Sequence, residues 1–535
     1  MTRKELKKSI EKAIKELQKK EVFPDFQIPK IKIESGERKT EKEIHGDYSS
    51  SIALVITKLT KKDPLKIAEL IKSEIQKRKS KTFEKIEIKF PGFINFFLSE
   101  EYLRKEIEKI IKEKDEFGNL KIGKKEKVNV EFISANPTGP LTLGNGRGGF
   151  CGDVLVNVLN KADFKAKREY YINDTGEQIR KLGHSVIGDS EAVYKGDYVN
   201  DLKKKIKSAG KNPEKIGEEA AKIILEKMIK PSVDKMGIKF DLWFSEKSLY
   251  KSKEIDKMLN YLKNKKLTYE KEGALWFRST QFGDDKDRVL VKTDGENTYI
   301  TSDAAYLKNK IDRNFDKLIY IWGADHYGYI ARLKAVARSL GFEKEKVEII
   351  LMQLVRLFEN NKEVRMSKRK GVYVTLDELI SEVGLDVARF FFLEKAADTH
   401  LDFDLSLAKE KSSKNPVYYI QYAHARICSI LKKIKNPKFN IKNLEPLQHA
   451  SELNLIKQLI RLPEIIEDTA KDYQVQRIPQ YATILAVAFH QFYRNCRVIS
   501  ENKELTKARL YLITATKIVL KNTLDLMGIS APNKM

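Results

Sequence analysis

Cysteine is scarce: the 535 residues hold three, Cys151, Cys428 and Cys496. They stand far apart without metal-ligand spacing, which argues against a disulfide framework or a structural metal and fits a reducing cytoplasm. No apolar run approaches the roughly 20 residues that a spanning helix needs, so no membrane association is expected. The opening segment, MTRKELKKSIEKAIKELQKK, is charged throughout and lacks the apolar core of a signal peptide or anchor. Acidic residues are outnumbered, 76 against 102 Lys plus Arg, for a formal charge of +26. That balance points to a polyanionic partner, nucleic acid before a membrane surface, while the abundant Glu also allows plain solvated basic faces. The length is enough for several hydrophobic cores, and three domains are expected.

What is present is concentrated in residues 128–153, VNVEFISANPTGPLTLGNGRGGFCGD. Val128, Val130 and Phe132 alternate with Asn129 and Glu131, as in a strand with one buried face. Gly and Pro crowd residues 135–149, and Phe150, Val154, Leu155, Val158 and Leu159 then recur at helical steps. Strand, glycine-rich loop and helix in that order build a phosphate site. A helix N-terminus presents unpaired N–H groups, and glycines let a polyphosphate approach the backbone. On spacing alone, an ordinary strand-to-helix turn is an equal reading.

Residues 1–115 read as an α+β module: Ile10, Ile14 and Leu17 form a helical stripe, and IEIKFPGFINFFL reads as strand, turn and strand. Residues 112–127 form a basic linker. Residues 116–404 alternate short strands with helices, the pattern of an open parallel α/β sheet, with a lysine-rich helical insertion around 185–240. Residues 170–172 read as a strand running into a helix start at Asn173 or Asp174. Residues 318–322 form another strand, after which Gly323 lets a nucleoside come close and Asp325 or His326 can hydrogen-bond it. Residues 405–535 show no strand pattern and read as an all-α bundle, with Val417, Ile420, His424 and Ile427 on a core stripe and Pro463 and Pro479 as breaks.

Taken together, and in one order along nearly the whole chain, these segments resemble the arginyl-tRNA synthetases, a class I aminoacyl-tRNA synthetase family. SANPTGPLTLGNGR is similar to the family's first ATP signature, with Thr142, Leu143, Gly144 and Asn145 in its four positions. Thr142 and Asn145 replace the two histidines of that signature; both can still donate hydrogen bonds to phosphate. WGADHYGY resembles the family's "GADHHGY". VRMSKRKG resembles its "KMSKS" loop, with Met366, Ser367 and Lys368 retained between Arg365 and Arg369. The resemblance implies catalytic roles for Lys368, Thr142 and Asn145. It implies ATP contacts at Thr142, Leu143, Gly144, Asn145, Gly323, Asp325, His326, Met366, Ser367 and Lys368.

For arginine, the resemblance implies Glu131, Ser134 and Asn136 at the α-amino and carboxylate groups, and Glu246, Tyr299 and Asp303 around the guanidinium, with His326 nearby. Selecting a guanidinium over an ammonium requires carboxylates that accept in a fork. Read without the family, Asp303 is equally an N-cap, Glu246 a surface acid, and Glu131 and Asn136 structural. Phe93 and Asn95 are implied to meet the tRNA elbow, although Phe93 is as readily a core residue.

The implied fold is a Rossmann-type catalytic domain (116–404) between an N-terminal α+β domain (1–115) and a C-terminal α-helical anticodon-binding domain (405–535). The implied reaction is ATP-dependent activation of L-arginine and its transfer to the terminal adenosine of tRNA(Arg), with Mg2+ accompanying ATP. A cytoplasmic monomer without a structural metal is expected. Two rival readings stand beside it: an RNA-binding protein derived from a synthetase but without its chemistry, and a different class I synthetase or nucleotidyltransferase with another small substrate.

Overall fold

The amphipathic helix Thr2–Lys19 opens the chain with Leu6, Ile10, Ala13, Ile14 and Leu17 buried on one side. In this computed structural model the described residues are 2–36, 46–78, 81–206, 212–364, 375–434 and 444–535. The N-terminal strands are β1 (Glu34–Ser35), β2 (Tyr48–Ser50), β3 (Phe83–Lys89) and β4 (Phe93–Leu98). They form an antiparallel sheet in the order β1-β2-β4-β3, and the hairpin expected from IEIKFPGFINFFL is β3–β4. The N-terminal and C-terminal parts of the chain meet here. Arg3 bridges Glu464 and Asp468, the Tyr48 hydroxyl donates to Glu464 at 3.2 Å, and Lys457 lies 2.7 Å from Asp47.

The central strands continue as β5 (Lys127–Glu131), β6 (Lys165–Ile172), β7 (Leu242–Ser245), β8 (Thr268–Lys271), β9 (Ala274–Phe277), β10 (Arg288–Val291), β11 (Lys317–Gly323) and β12 (Val347–Met352). Five of them make a parallel sheet in the order β12-β11-β5-β6-β7, as the alternating pattern predicts. The chain leaves β5 for β6 on one side and returns to β11 on the other. The crevice beyond the carboxyl ends of β5 and β11 is therefore the switch point where such sheets bind ligands.

Helix Leu143–Lys161 comes after β5, and its glycines have separate uses. A Cβ at Gly152 would lie 2.3 Å from the Phe132 ring, one at Gly149 2.5 Å from Met236, and one at Gly146 2.5 Å from Leu376. These three let neighbouring elements close on the helix. Two buried arginines then lock it to later parts of the chain. Arg147 donates to the Gln353 and Ala396 carbonyls; Arg389 donates to Asp153 and to the Met236 and Met527 carbonyls.

The structure departs from the sequence pattern in several places. The helix after β6 begins at Glu177 with Gly176 as its cap, so neither Asn173 nor Asp174 starts it. The lysine-rich insertion is packed as well as charged: Ile216, Gly217, Ala220, Ala221 and Ile224 of helix Pro213–Ile224 are buried, and Gly217 and Gly183 bring it against helix Glu177–Ile187. β8, β9 and β10 form a small antiparallel sheet inside the stretch where only parallel strands are expected. Pro463 and Pro479 lie in the first turns of helices Leu462–Asp472 and Arg477–Asn495, where a missing N–H costs nothing, so they begin helices rather than break them. The C-terminal part is helical as expected, closing with helix Lys503–Met527, and His424 is buried with Nδ1 2.9 Å from the Pro532 carbonyl.

Candidate active site

The loop after β5 is bent by Ile133 and Ser134, both with positive φ, a conformation that costs non-glycine residues free energy and clusters at functional sites. It is held by the Ser134 hydroxyl, which accepts from the Tyr171 N–H at 3.0 Å, and by the Tyr170 hydroxyl, which donates to the Ala135 carbonyl at 2.9 Å. Tyr198 donates to the Thr138 carbonyl at 2.9 Å beside Gly139. The chain then enters helix Leu143–Lys161 through a capping box. Asn145 Oδ1 accepts from the Thr142 N–H at 2.9 Å and from its hydroxyl at 2.8 Å.

This cap sorts the four signature residues. The Thr142 hydroxyl is committed to Asn145, which leaves the Asn145 amide nitrogen as the donor of the pair. Leu143 is a buried core residue, so only its backbone can serve a ligand. Gly144 is exposed, and a Cβ there would meet only Thr142 Oγ1, at 3.8 Å. Beyond the capped N–H of Asn145, the helix N-terminus and that open glycine surface make a cradle with the donors that a phosphate needs.

The second signature, Arg365 to Arg369 with Met366, Ser367 and Lys368, lies outside the described residues. The chain just after it, from Thr375 onward, is anchored on the first signature: the Leu376 N–H donates to the Leu141 carbonyl at 3.0 Å, and the Leu376 side chain fills the notch at Gly146. At the end of β11, Gly323, Asp325 and His326 are exposed, and the His326 ring lies 5.9 Å from Trp322. His326 and Asp325 thus stand at the mouth of the crevice rather than in its wall.

Deeper in, acidic side chains from separate elements converge. Glu131 ends β5, Glu246 comes directly after β7, and Asp303 lies in the second turn of helix Tyr299–Asp312. Thr298 is that helix's N-cap, so Asp303 is not one. Glu246 is only 5 % exposed, which removes the surface reading. Asp174 sets the Glu246 backbone: it accepts from the Ser245 hydroxyl at 2.6 Å and from the Lys247 N–H at 2.9 Å.

Burial pushes the Glu246 carboxyl up to about 7, with Asp303 and Asp174 adding repulsion against hydrogen bonding from Ser302 and Tyr171. Burial likewise pushes Asp303 up to about 6; Tyr329, which hydrogen-bonds it, pulls the other way, and Glu131 adds to the rise. The Tyr171 phenol is raised by burial and then by the charges of Glu246, Asp303 and Glu131, and it hydrogen-bonds Glu246. Lys310 pairs with Glu131, but among the described residues neither Glu246 nor Asp303 forms an ion pair, so these two acids are open to a cation.

Tyr299 is not brought into this cluster. It is 59 % exposed on the first turn of its helix, and the phenols beside the acids are Tyr171 and Tyr329 instead. Sequence reasoning missed both, along with Ser302. The available signals were the second tyrosine of REYYIND and the closing tyrosine of GADHYGY. Asn136 is half-buried at the cradle's edge.

Two further surfaces carry aromatic and basic groups. On the C-terminal bundle the Arg426 guanidinium lies 4.5 Å from the ring centres of both Tyr422 and Tyr493, with His490 between Tyr419 and Tyr422. On the N-terminal sheet Phe93 is half-buried, whereas Asn95 is 1 % exposed and does not present its amide outward. The exposed aromatic there is Phe90, 84 % accessible at the β3–β4 turn.

Comparison with known proteins bears on this arrangement. Residues 106–429 match the family model of class I (R) tRNA synthetase catalytic domains, residues 4–98 that of the arginyl tRNA synthetase N terminal domain, and residues 420–535 that of the DALR anticodon binding domain. The chain is 44 % identical over 536 residues to arginine–tRNA ligase 1 of Halalkalibacterium halodurans, covering 96 % of this chain and 95 % of the relative. It is 44 % identical over 537 residues to the arginine–tRNA ligase of Bacillus subtilis, with the same coverage. A solved structure from Campylobacter jejuni, described as an arginyl tRNA synthetase, is 35 % identical, covers 82 % of this chain and 100 % of its own, and has a TM-score of 0.73. The Thermus thermophilus arginyl-tRNA synthetase shares the fold along 100 % of both chains at 20 % identity, with a TM-score of 0.78.

Proposed function

Because this chain belongs to the arginyl-tRNA synthetases, we propose how its residues divide the work of charging tRNA with arginine. The chain is an ATP-dependent ligase that activates L-arginine and transfers it to the 3'-terminal adenosine of its tRNA. The observation that carries the residue assignment is the pair of acids, Glu246 and Asp303, both lifted by burial at the carboxyl edge of a parallel sheet. A guanidinium placed against them is a planar donor for two acceptors and supplies the positive charge that the cluster wants.

In this reading Glu131 receives the α-ammonium group, with Ser134 and Asn136 framing the carboxylate. That orientation aims a carboxylate oxygen at the α-phosphorus of ATP, whose Mg2+ arrives as part of the substrate complex. The oxygen–phosphorus bond forms as the bond to the bridging oxygen breaks, and pyrophosphate leaves with the electron pair. Gly144 and the helix N-terminus hold the triphosphate, Asn145 donates to it, and Lys368 neutralises charge on the departing pyrophosphate. Gly323, Asp325 and His326 border the nucleoside. No side chain becomes covalently attached; the terminal adenosine hydroxyl then attacks the arginyl carbonyl and AMP leaves.

The Tyr422–Arg426–Tyr493 stack suits unstacked anticodon bases, and Phe90 with Phe93 suits a base of the tRNA elbow. We further propose a cytoplasmic monomer. The test of the pocket is substitution: Glu246→Gln and Asp303→Asn should each raise the KM for arginine by roughly thirtyfold or more, as expected when a charged hydrogen-bond partner is lost. The KM for ATP should change little. Equal losses for both substrates would count against the assignment.

A further inference from the structure

Lys310 is a lysine with no solvent exposure in the catalytic domain, and the chemistry described above does not use it. Lysine is almost never fully buried unless it is paired. Here Nζ lies 2.5 Å from Glu131 Oε2, 4.4 Å from the centre of the Tyr306 ring and 4.1 Å from that of Tyr320. The two ring faces attract the ammonium and wall it from water. They are themselves fixed: the Tyr306 hydroxyl donates to Glu169 at 2.7 Å, and Glu169 is held in turn by Arg313 and Asn129.

A buried ion pair costs desolvation and is a poor source of stability, so its retention calls for a positional use. The position is informative. Lys310 sits on helix Tyr299–Asp312, two turns beyond Asp303 and on the same side. One helix thus reaches the acid assigned to the guanidinium directly and the acid assigned to the α-ammonium through a side chain.

We propose that Lys310 is a positioning residue for amino-acid recognition: it holds one Glu131 oxygen so that the other is presented to the substrate's α-ammonium group. The inference rests on the reading that Glu131 receives that group, and the experiment separates the two. Its probes are L-arginine and 5-guanidinopentanoate, which is arginine without the α-amino group, used as an inhibitor of tRNA charging by the full chain.

In the unaltered enzyme the ratio of the inhibitor's Ki to the arginine KM should be about tenfold or more, the worth of a charge-assisted hydrogen bond. Lys310→Met fits the slot between the rings but cannot hold Glu131; it should bring the ratio close to one while the KM for ATP stays put. Lys310→Arg should restore most of the ratio. Glu131→Gln should lower it as Lys310→Met does, and adding Lys310→Met to that variant should change nothing more. Lys310→Leu, which likewise lacks a donor, is the second variant should Lys310→Met fail to accumulate folded. A full ratio in either Lys310→Met or Lys310→Leu, with Glu131→Gln collapsing it, overturns the proposal. A ratio near one in the unaltered enzyme overturns the Glu131 assignment itself.

Discussion

The proposed placement of the guanidinium against Glu246 and Asp303 predicts that arginine binding is proton-linked, and pH is the least invasive way to perturb it. With the Glu246 carboxyl lifted to about 7, the unliganded pocket carries a proton over much of the neutral range. A guanidinium requires the carboxylate, so that proton has to leave. Affinity is therefore complete well above about pH 7 and is lost as pH falls through it. For one such group the arginine Kd grows as 1 + 10^(pKa − pH), about elevenfold at pH 6, about twofold at pH 7 and nearly unchanged at pH 8. Asp303, lifted to about 6, adds a further factor of about two at pH 6.

Titration calorimetry in two buffers of different ionisation heat should then find roughly three quarters of a proton released per arginine at pH 6.5 from Glu246 alone. The same shift acts on stability with the opposite slope. A carboxyl whose folded pKa is raised from 4.5 to about 7 gives its full contribution below the ordinary range. About 3 kcal/mol of that is lost as pH rises through 7, and bound arginine offsets the loss. Glu246→Gln should flatten both profiles. An arginine Kd unchanged between pH 6 and 8, with no proton released, would refute the claim that these acids face the guanidinium.

The same geometry sets the outcome of other substitutions. Gly144→Ala adds a methyl to open space in the cradle and should raise the KM for ATP severalfold without lowering the melting temperature. Gly152→Ala drives a methyl against the Phe132 ring and should cost about 1–3 kcal/mol in urea unfolding. Lys368→Ala should lower the ATP–pyrophosphate exchange rate by at least about a hundredfold while arginine affinity, measured by calorimetry, stays within about twofold. Arg426→Ala should raise the KM for tRNA by about tenfold or more, leaving that for arginine alone; an unchanged tRNA KM would remove the stack from the RNA-binding surface.

How much of this is legible in the sequence depends on whether the deciding contact is local. The strand, loop and helix of residues 128–153 are readable because alternation and helical spacing act within one element. The capping box at Thr142 is harder to see, because the same two side chains also suit phosphate donation. Asp174 shows the limit of local signals. An acid after a strand looks like a helix cap, yet its partners, Ser245 and Lys247, are more than seventy residues away. Tyr171 and Tyr329 look like core aromatics until the sheet and helix Tyr299–Asp312 bring them beside the acids. The β8–β9 hairpin turns at Glu272 and Gly273, both with positive φ as a two-residue hairpin turn requires, but strands of four residues each are too short to show a period in the sequence. Asn95 lies on the sheet face opposite Ile94 and Phe96, where alternation alone suggests exposure; the surrounding structure covers it.

The central claim is that this carboxylate pocket, with Thr142 and Asn145 in place of histidines at the phosphate cradle, activates arginine. The most direct measurement is ATP–pyrophosphate exchange by the purified full chain with arginine, lysine or glutamine, each with and without tRNA. Exchange with arginine, and background rates with lysine and glutamine, is the predicted result. Exchange with lysine at a comparable rate, or none with arginine even when tRNA is bound, would contradict it.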